Sequence, residues 1–381
     1  MKKVKNILLL LIALFAVGCT QTIIFEDIQT PTPTPTPKPE PEPDLDTSSY
    51  VDLSAEGTAN CYLVKAAGKY KFKTVKGNSN MAVDSVAIAT VLWESFGTSN
   101  TPNVGDLIAS ATYKDGYVYF ATPTTFKSGN ASIAVRDSNA KILWSWHIWL
   151  SKEGWNDHVY ANNAGTMMDR NLGATSATPG EVGAFGLLYQ WGRKDPFMGS
   201  CAISGTTLAA STGSWDTVSG GKTIDWAEEN PTAYITGSEW CTGDGAEDSN
   251  YTKRWAESEK TMYDPCPVGY RVPDGGDTGF WATALGTSEA TTVGTKWDSI
   301  NYGRQWTLAD EMSSAWYPAV GSRSYDSGSL NNVGEIGCCW SASSPFNAVN
   351  AYRLYFGGGV VYPSFYKFNR SHGYSVRCVR E

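Results

Sequence analysis

The sequence has few of the residues on which most enzymes depend near neutral pH. Three histidines occur in 381 residues, and none belongs to an H-E-x-x-H zinc motif. No G-x-S-x-G nucleophile elbow and no phosphate- or dinucleotide-binding glycine loop is present. Because 38 residues are acidic, no glycosidase carboxylate pair can be identified from sequence proximity. We therefore predict no catalytic residues, no metal site and no cofactor, and we expect a protein that is not an enzyme.

Charged residues are also scarce, and their balance is acidic. Lys, Arg, Asp and Glu make up 18% of the chain, and the formal net charge is −8. Removal of the first 18 residues would take away three lysines, leaving 27 basic against 38 acidic residues and a charge near −11. An acidic surface disfavours nucleic acid and anionic lipid as partners. We expect no nucleic-acid partner, and any membrane attachment must come from acyl chains.

The spacing of the cysteines excludes a further group of sites. None of the eight lies in a C-x-x-C motif, which disfavours zinc and thioredoxin-type chemistry. If Cys19 carries lipid, seven remain, so at least one thiol is free or pairs between chains. The vicinal Cys338 and Cys339 either form a strained disulfide, or one of them pairs with Cys201 or Cys241 while the other is buried. The pairing of Cys61 is likewise open.

The N-terminus contains a basic start, a short apolar run and Gly18-Cys19. This order is typical of a secretory signal peptide, here residues 1–18, and the apolar run is too short for a membrane-spanning helix. Cys19 after a small residue resembles the bacterial lipobox, in which the cysteine is acylated, although Ala16 stands where leucine is most common. The alternative is an ordinary signal peptide with an incidental cysteine. We predict lipidation at Cys19 and anchoring of the protein to a membrane by that lipid.

Residues 19–47 contain a proline-rich stretch in which every second residue from Pro31 to Pro43 is proline. Proline fixes φ and lacks an amide donor, so this stretch cannot form a helix or a central strand. An extended polyproline spacer of roughly 40 Å is expected. Residues 19–47 are therefore predicted to be a linker that holds a folded part away from the membrane.

The remaining chain is predicted to be mostly β, in an α+β arrangement with two domains. Residues 48–160 show short strand patterns at even spacing, including 142–150 and an Asp115-Gly116 hairpin turn, which favours a β-sandwich. Residues 165–381 are rich in glycine and turns, with one short helix expected near 278–285 and Gly286 just past its end.

Six segments of the second domain follow one another in an order that resembles a known family: Gly165–Gly173, Gly186–Gly192, Cys266–Pro273, Cys339–Ser343, Ala351–Phe356 and Gly373–Val379. They resemble the Fibrobacter succinogenes major paralogous domain family of exported proteins, over about 215 of the 381 residues. Tyr270 departs from the pattern, which usually has tryptophan there. The resemblance implies a C-type-lectin-like fold with long loops, preceded by a β-sandwich as in Bacteroides-type exported lipoproteins. It also implies a structural disulfide between Cys266 and Cys378.

A lectin-like fold suggests a search for calcium motifs. Trp155-Asn156-Asp157 resembles one half of the usual pair, but it precedes the lectin-like domain and is interpreted as coincidence. The acidic loops at 244–250 and 274–277 lack EF-hand spacing and are interpreted as solvated turns. No calcium site is predicted.

Aromatic residues are the most unusual feature of the composition, with 15 Trp, 20 Tyr and 13 Phe. Exposed rings on loops can stack on sugars, and loops on a rigid scaffold often carry recognition. The candidate ligand-binding residues all lie in the long insertion between Trp191 and Cys266: Trp215, Trp226, Trp240, Tyr251 and Trp255. The alternative is that these rings only hold the insertion together.

The sequence therefore favours a cell-envelope, outer-membrane lipoprotein that binds glycan or a surface protein without catalysis. Two alternatives are a structural or tip subunit of a surface filament and, least favoured, a glycan-active enzyme. The ligand and the oligomeric state are not specified, and a periplasmic or a surface-exposed orientation is open, because the residues after Cys19 lack an immediate acidic run.

Overall fold

The structure, a computed structural model, describes residues 46–242, 254–345 and 349–381. Residues from Thr47 to Glu381 form one compact unit. Strands account for 38% of the residues and helices for 5%, which confirms the prediction of a mostly β protein. In the part of the chain that the structure describes, no helix is long and apolar enough to cross a membrane.

Eight strands come from the segment before residue 151. They are β1 (Val51–Asp52), β2 (Cys61–Val64), β3 (Lys69–Lys73), β4 (Ile88–Ser95), β5 (Ser110–Lys114), β6 (Tyr117–Ala121), β7 (Gly129–Arg136) and β8 (Ile142–Leu150). They form two four-stranded sheets, in the orders β1-β3-β6-β5 and β2-β8-β7-β4. One hydrophobic cluster draws side chains from both sheets, with the rings of Phe72 and Trp146 5.1 Å apart.

Local sequence explains this part of the structure well. Asp115 and Gly116 have φ values of 47° and 80°, the left-handed conformation that a two-residue hairpin needs, and they join β5 to β6 as predicted. The predicted strand at 142–150 is β8. The parallel pairing of β2 with β8 cannot be predicted from local sequence, because it joins residues more than 80 positions apart.

The remaining strands are shorter. They are β9 (Asp157–Tyr160), β10 (Gly165–Met168), β11 (Leu188–Gln190), β12 (Asp216–Ser219), β13 (Ala233–Thr236), β14 (Tyr270–Arg271), β15 (Thr295–Asp298), β16 (Gly303–Thr307), β17 (Ser314–Pro318), β18 (Ser322–Arg323), β19 (Leu330–Asn331), β20 (Ile336–Trp340), β21 (Asn350–Gly357), β22 (Val361–Asn369), β23 (Gly373–Ser375) and β24 (Val379–Arg380). The largest sheet has the order β19-β18-β23-β20-β21-β22, with β11 also paired to β23. Three smaller sheets are β14-β24-β10-β9, β15-β16-β17 and β12-β13.

In the residues that the structure describes, two α-helices and one 3₁₀ turn (Val182–Ala184) accompany the strands. Helix α1 (Ile224–Glu229) was not predicted; its first turn is capped by the Thr223 hydroxyl, which accepts from the Trp226 amide. Helix α2 (Phe280–Leu285) begins two residues later than predicted. It ends at Leu285, as predicted, and Gly286 just past its end has a φ of 67°.

The predicted boundary between residues 160 and 165 lies inside one continuous core. Trp93 and Trp149 from the first eight strands belong to the same buried cluster as Trp191 and Trp340. The Trp149 Nε1 donates to the Ala174 carbonyl at 3.0 Å. The segments on either side of the boundary therefore share buried apolar surface as well as hydrogen bonds.

The disulfide between Cys266 and Cys378 is confirmed, with its two Cα atoms 6.0 Å apart. It lies beside β14 and β24, which pair antiparallel, and it closes a separation of 112 residues. The other described cysteines are free thiols, so the alternatives involving Cys338 and Cys339 were wrong. Because neighbouring residues of a strand face opposite sides, these two thiols enter separate hydrophobic clusters.

Removal of the disulfide by Cys266→Ser with Cys378→Ser is expected to lower the free energy of unfolding by about 2–5 kcal/mol, since the unfolded chain regains the entropy of a long loop. Chemical denaturation monitored by tryptophan fluorescence measures the change. Cys201→Ser, at a partly exposed free thiol, is the control and should change stability little. Equal stabilities of the parent and the double variant would contradict the prediction.

Candidate binding surfaces

The structure separates the five candidate aromatic residues of the insertion. Trp215 and Trp226 are partly exposed, whereas Trp240 is 2% exposed and Trp255 is fully buried. Tyr251 lies outside the described residues. Trp215 packs against Trp93, with ring centroids 5.6 Å apart. The five rings therefore do not share one open surface.

The two buried indoles hold the insertion in place. Trp240 donates from Nε1 to the Trp191 carbonyl at 2.6 Å, and Trp255 donates to the Tyr263 carbonyl at 3.0 Å. The guanidinium of Arg254 lies 5.4 Å from the centre of the Trp240 ring. Since neither ring offers a face to solvent, Trp240 and Trp255 cannot stack on a ligand in this structure.

An open cleft of about 370 Å³ lies beside α1. Its lining includes Asp225, Glu228 and Glu229 of the helix. Glu228 pairs with Lys76 at 2.7 Å and Glu229 with Lys141 at 2.6 Å. Glu228 also accepts a hydrogen bond from the Tyr263 hydroxyl at 2.6 Å. Both of these carboxylates therefore have cationic partners.

A continuous aromatic surface lies instead on the antiparallel pair β21–β22. We call it the aromatic face; it consists of the partly exposed rings of Tyr355, Tyr362, Phe365 and Phe368. The rings of Tyr362 and Phe365 are stacked, with centroids 4.7 Å apart. Tyr355 lies 5.9 Å from both of them, and Phe368 lies 5.3 Å from Phe365. The four rings thus form one row at the end of the largest sheet.

A buried cation lies under this row. The Arg353 guanidinium carbon is 3.4 Å from the Phe368 ring centre and 5.2 Å from that of Tyr355. Arg353 also lies 4.5 Å from the Tyr374 ring and donates to the Cys338 Sγ at 2.9 Å. Cation–π contacts of this kind are strongest when desolvated, so Arg353 fixes the rings from behind.

Burial also controls the titrating groups beneath the aromatic face. Burial raises the pKa of the Cys338 thiol to about 11, so the thiol stays neutral despite the nearby Arg353 charge. Burial lowers the pKa of His372 to about 4, and the Arg353 charge contributes to the same shift. The His372 ring stacks on Tyr374, with centroids 5.1 Å apart. At neutral pH, Cys338 and His372 under the face are therefore neutral, whereas Arg353 is charged.

The aromatic face was not predicted, although the sequence contains a pattern that points to it. Tyr362, Phe365 and Phe368 are spaced by three residues, and a regular strand would send such a series to alternating sides. The pairing of β21 with β22 contains two register shifts, typical of β-bulges. A bulge adds one residue to a strand, which returns residues at a spacing of three to one side. The high proportion of aromatic residues between positions 352 and 368 was the feature of the sequence that indicated an aromatic surface.

The sites that resembled calcium motifs have structural partners. Asp157 accepts from the Tyr270 hydroxyl at 2.6 Å and pairs with Arg380 at 3.1 Å. Asp274 pairs with Arg271 at 2.8 Å. The loop at 244–250 lies outside the described residues. Among the residues described, no group of three or more His, Cys, Asp or Glu side chains could hold a metal ion.

Comparison with known proteins identified no relative of this chain. No family model, no curated protein and no solved structure matches this chain. The family resemblance of the Cys266–Pro273 and Gly373–Val379 segments therefore stays a prediction. The aromatic face and the cleft beside α1 are the surfaces on which a function can be argued.

Replacement of His372 by phenylalanine is expected to reduce the loss of stability in acid. The unfolded chain binds a proton at histidine below about pH 6.5, whereas folded His372 stays neutral until about pH 4. Folding is therefore weakened as the pH falls from 6.5 to 4, by up to about 1.4 kcal/mol per pH unit for this one group. Urea unfolding at pH 7, 5.5 and 4.5 measures the slope; identical slopes in parent and variant would refute the effect.

Proposed function

We propose that this protein is a lipid-anchored envelope protein that binds glycans through the aromatic face. The row of partly exposed rings on β21–β22 is the observation that carries the proposal. Aromatic rings combine large apolar area with an electron-rich surface, and the C–H faces of sugar rings pack against such surfaces. Several rings in a row suit a chain of sugars better than one small molecule.

The architecture is consistent with presentation of such a surface. We propose that the two N-terminal sheets are a β-sandwich and that residues 165–381 are a lectin-like domain of the Fibrobacter succinogenes major paralogous family. The Cys266–Cys378 disulfide and the motif residues around it support this assignment. Cys19 and the proline-rich residues 19–47 would then attach the folded unit to the outer membrane.

A structural role in a surface filament is the second candidate. Strand β22 lies at the end of the strand order of its sheet; Val361 at its start exchanges backbone hydrogen bonds with Thr291, and no further strand of the described chain pairs with its outer edge. Such an edge can pair with a strand of another chain. The aromatic face lies along the same edge. Purification from native membranes distinguishes the roles, because a filament subunit would come with stoichiometric partners.

A glycan-active enzyme is the least supported candidate. A glycosidase needs one carboxyl group kept protonated as the acid beside an ionised partner. In the cleft beside α1, Glu228 pairs with Lys76 at 2.7 Å and Glu229 pairs with Lys141 at 2.6 Å. Both carboxylates are therefore engaged in structural ion pairs, which favours a binding role over an enzymatic one.

The glycan proposal predicts binding that depends on the face. The unit from Thr47 to Glu381, applied to a glycan array and to mucin, is expected to bind, and Tyr362→Ala with Phe365→Ala is expected to weaken binding at least about fivefold. Loss of two stacking rings removes about 1–3 kcal/mol, enough for that factor. Titration calorimetry with the best array ligand measures it.

A matched control comes from another sheet of the same molecule. Tyr117 is partly exposed on β6, and Tyr117→Ala should leave glycan affinity unchanged. Melting temperatures of both variants show whether the fold is retained. Absence of binding to any glycan or surface extract, or equal loss in the control, would count against the proposal.

The anchoring proposal predicts that Cys19→Ala abolishes incorporation of a labelled fatty acid and releases the protein from the membrane fraction. Lipid chains supply the membrane affinity that the acidic chain lacks. Protease treatment of intact cells then reports orientation, since a surface-exposed unit is digested and a periplasmic one is protected. A variant that remains labelled and membrane-bound would show that Cys19 is not the anchor.

A further inference from the structure

A row of positive charge follows strand β3 in the first N-terminal sheet. Residues 57–83 contain five lysines and no acidic residue, although the whole chain has a net charge of −8. Lys69, Lys71 and Lys73 alternate along β3 with two aromatic residues of the hydrophobic cluster that the two N-terminal sheets share. Because successive residues of a strand point to opposite sides, the three lysines lie together on the outer side of the sheet. We call them the lysine row.

Tyrosine rings lie beside the lysine row. Lys71 is opposite Tyr119 in the antiparallel pairing of β3 with β6. Its ammonium lies 5.1 Å from the centre of the Tyr117 ring and 5.9 Å from that of Tyr119. The Lys69 ammonium lies 5.6 Å from the Tyr50 ring centre. A ring attracts a cation without cancelling its charge, so these contacts hold the ammonium groups in place and leave them available to an anion.

No carboxylate neutralises the lysine row in the part of the chain that the structure describes. There, no Asp or Glu oxygen lies within the 4.0 Å ion-pair distance of any of its three ammonium groups. By contrast, the exposed Lys127 pairs with Asp106 at 2.7 Å. Lys69 and Lys73 are exposed and Lys71 is partly exposed, so a ligand can reach all three.

Acidic residues near the row limit the shape of the ligand that fits. Asp52 of the edge strand β1 is in register with Lys71 in the parallel pairing of β1 with β3. Its carboxylate accepts from the Ser54 amide at 2.8 Å and from the Ser54 hydroxyl at 2.6 Å. Asp115 lies in the turn between β5 and β6, next to the end of β3. A planar anionic membrane would bring its charges against these two aspartates, whereas a single chain can follow the lysines and avoid them.

We propose that the lysine row binds a linear anionic polysaccharide, either carboxylated or sulfated, laid along β3. Two residues of a strand span about 7 Å, so the row presents its three ammonium groups at regular intervals. A polymer with an anionic group on each repeat can contact all three, whereas a small anion can contact only one or two. Lysine offers a point charge rather than a fixed fork of donors, so the row recognises charge density more than one particular sugar.

Binding of the Thr47–Glu381 unit to heparin, a sulfated polysaccharide, and to polygalacturonate, a carboxylated one, tests the lysine row. Three ionic contacts predict a slope of about −2 for log affinity against log salt, so affinity should fall roughly twentyfold between 50 and 200 mM NaCl. Surface plasmon resonance measures the affinity, and uncharged dextran is expected not to bind. Affinity that does not change with salt, or equal binding to dextran, would overturn the proposal.

Removal of charge from the row locates the binding. Lys69→Gln with Lys71→Gln and Lys73→Gln is expected to weaken heparin binding at least about tenfold, because all three ionic contacts are lost. Thermal melting shows whether this variant is folded, and unchanged heparin affinity in the folded variant would refute the site. Vesicles of phosphatidylglycerol test the membrane alternative: tighter binding to them than to heparin, lost in the same variant, would assign the row to a lipid surface and overturn the polysaccharide proposal.

A charge-matched control comes from three exposed lysines outside this sheet, Lys65, Lys152 and Lys296. Lys65→Gln with Lys152→Gln and Lys296→Gln removes the same charge and should keep most of the heparin affinity. A loss equal to that of the row variant would show that net charge alone drives binding, and the site would be refuted.

The lysine row and the aromatic face belong to different sheets. Tyr362→Ala with Phe365→Ala should therefore keep the heparin affinity, which distinguishes failure of one surface from failure of the other. Loss of heparin binding in that variant would place the polyanion on the aromatic face and overturn the proposal. Because ammonium groups make the contact at the row, Tyr117→Ala remains a control for the aromatic face.

Discussion

The indole of Trp191 makes the contacts on which the packing of the C-terminal half depends. Its ring lies 5.0 Å from the Arg254 guanidinium and 4.5 Å from that of Arg370, and Glu239 pairs with both arginines. Its backbone amide donates to the Arg370 carbonyl, and its Nε1 donates to the Ser341 carbonyl. Four distant segments therefore meet at one ring, and the long insertion packs onto the core through it.

The same chemistry recurs at several other buried arginines. Arg353 lies under the aromatic face, Arg377 lies 3.7 Å from the Tyr317 ring centre, and Arg193 lies 5.0 Å from that of Phe197. Rings replace carboxylates as partners of buried guanidiniums, which a chain with many aromatic residues and few charges can supply. Arrangements of this kind are rigid, and a rigid layer under Tyr355 and its neighbours suits a surface that must recognise a ligand without rearrangement.

Local features of the fold were predictable because short-range chemistry decides them. Asp115-Gly116 supplied a hairpin turn, and Gly286 supplied the end of a helix. The pairing of Cys266 with Cys378 followed from family resemblance and was confirmed. The exposure of the candidate rings was harder to predict. Sequence cannot distinguish Trp240, which is buried between guanidiniums, from Trp226, which is partly exposed. The aromatic face escaped prediction because bulges in the β21–β22 pair altered the side on which each ring lies.

The sequence by itself determined the β-rich class, the turns, the acidic balance and the expectation of a lipid tether, because each of these depends on composition or on residues close together in the chain. Only the tertiary structure decided which aromatic residues reach the surface, which of the other described cysteines stay free and which arginines pack against rings. These properties depend on contacts between residues far apart in sequence, such as Cys61 opposite His147 or Gln190 opposite Gly373. Such contacts form because separate strands bury apolar surface together, and no local pattern records their register.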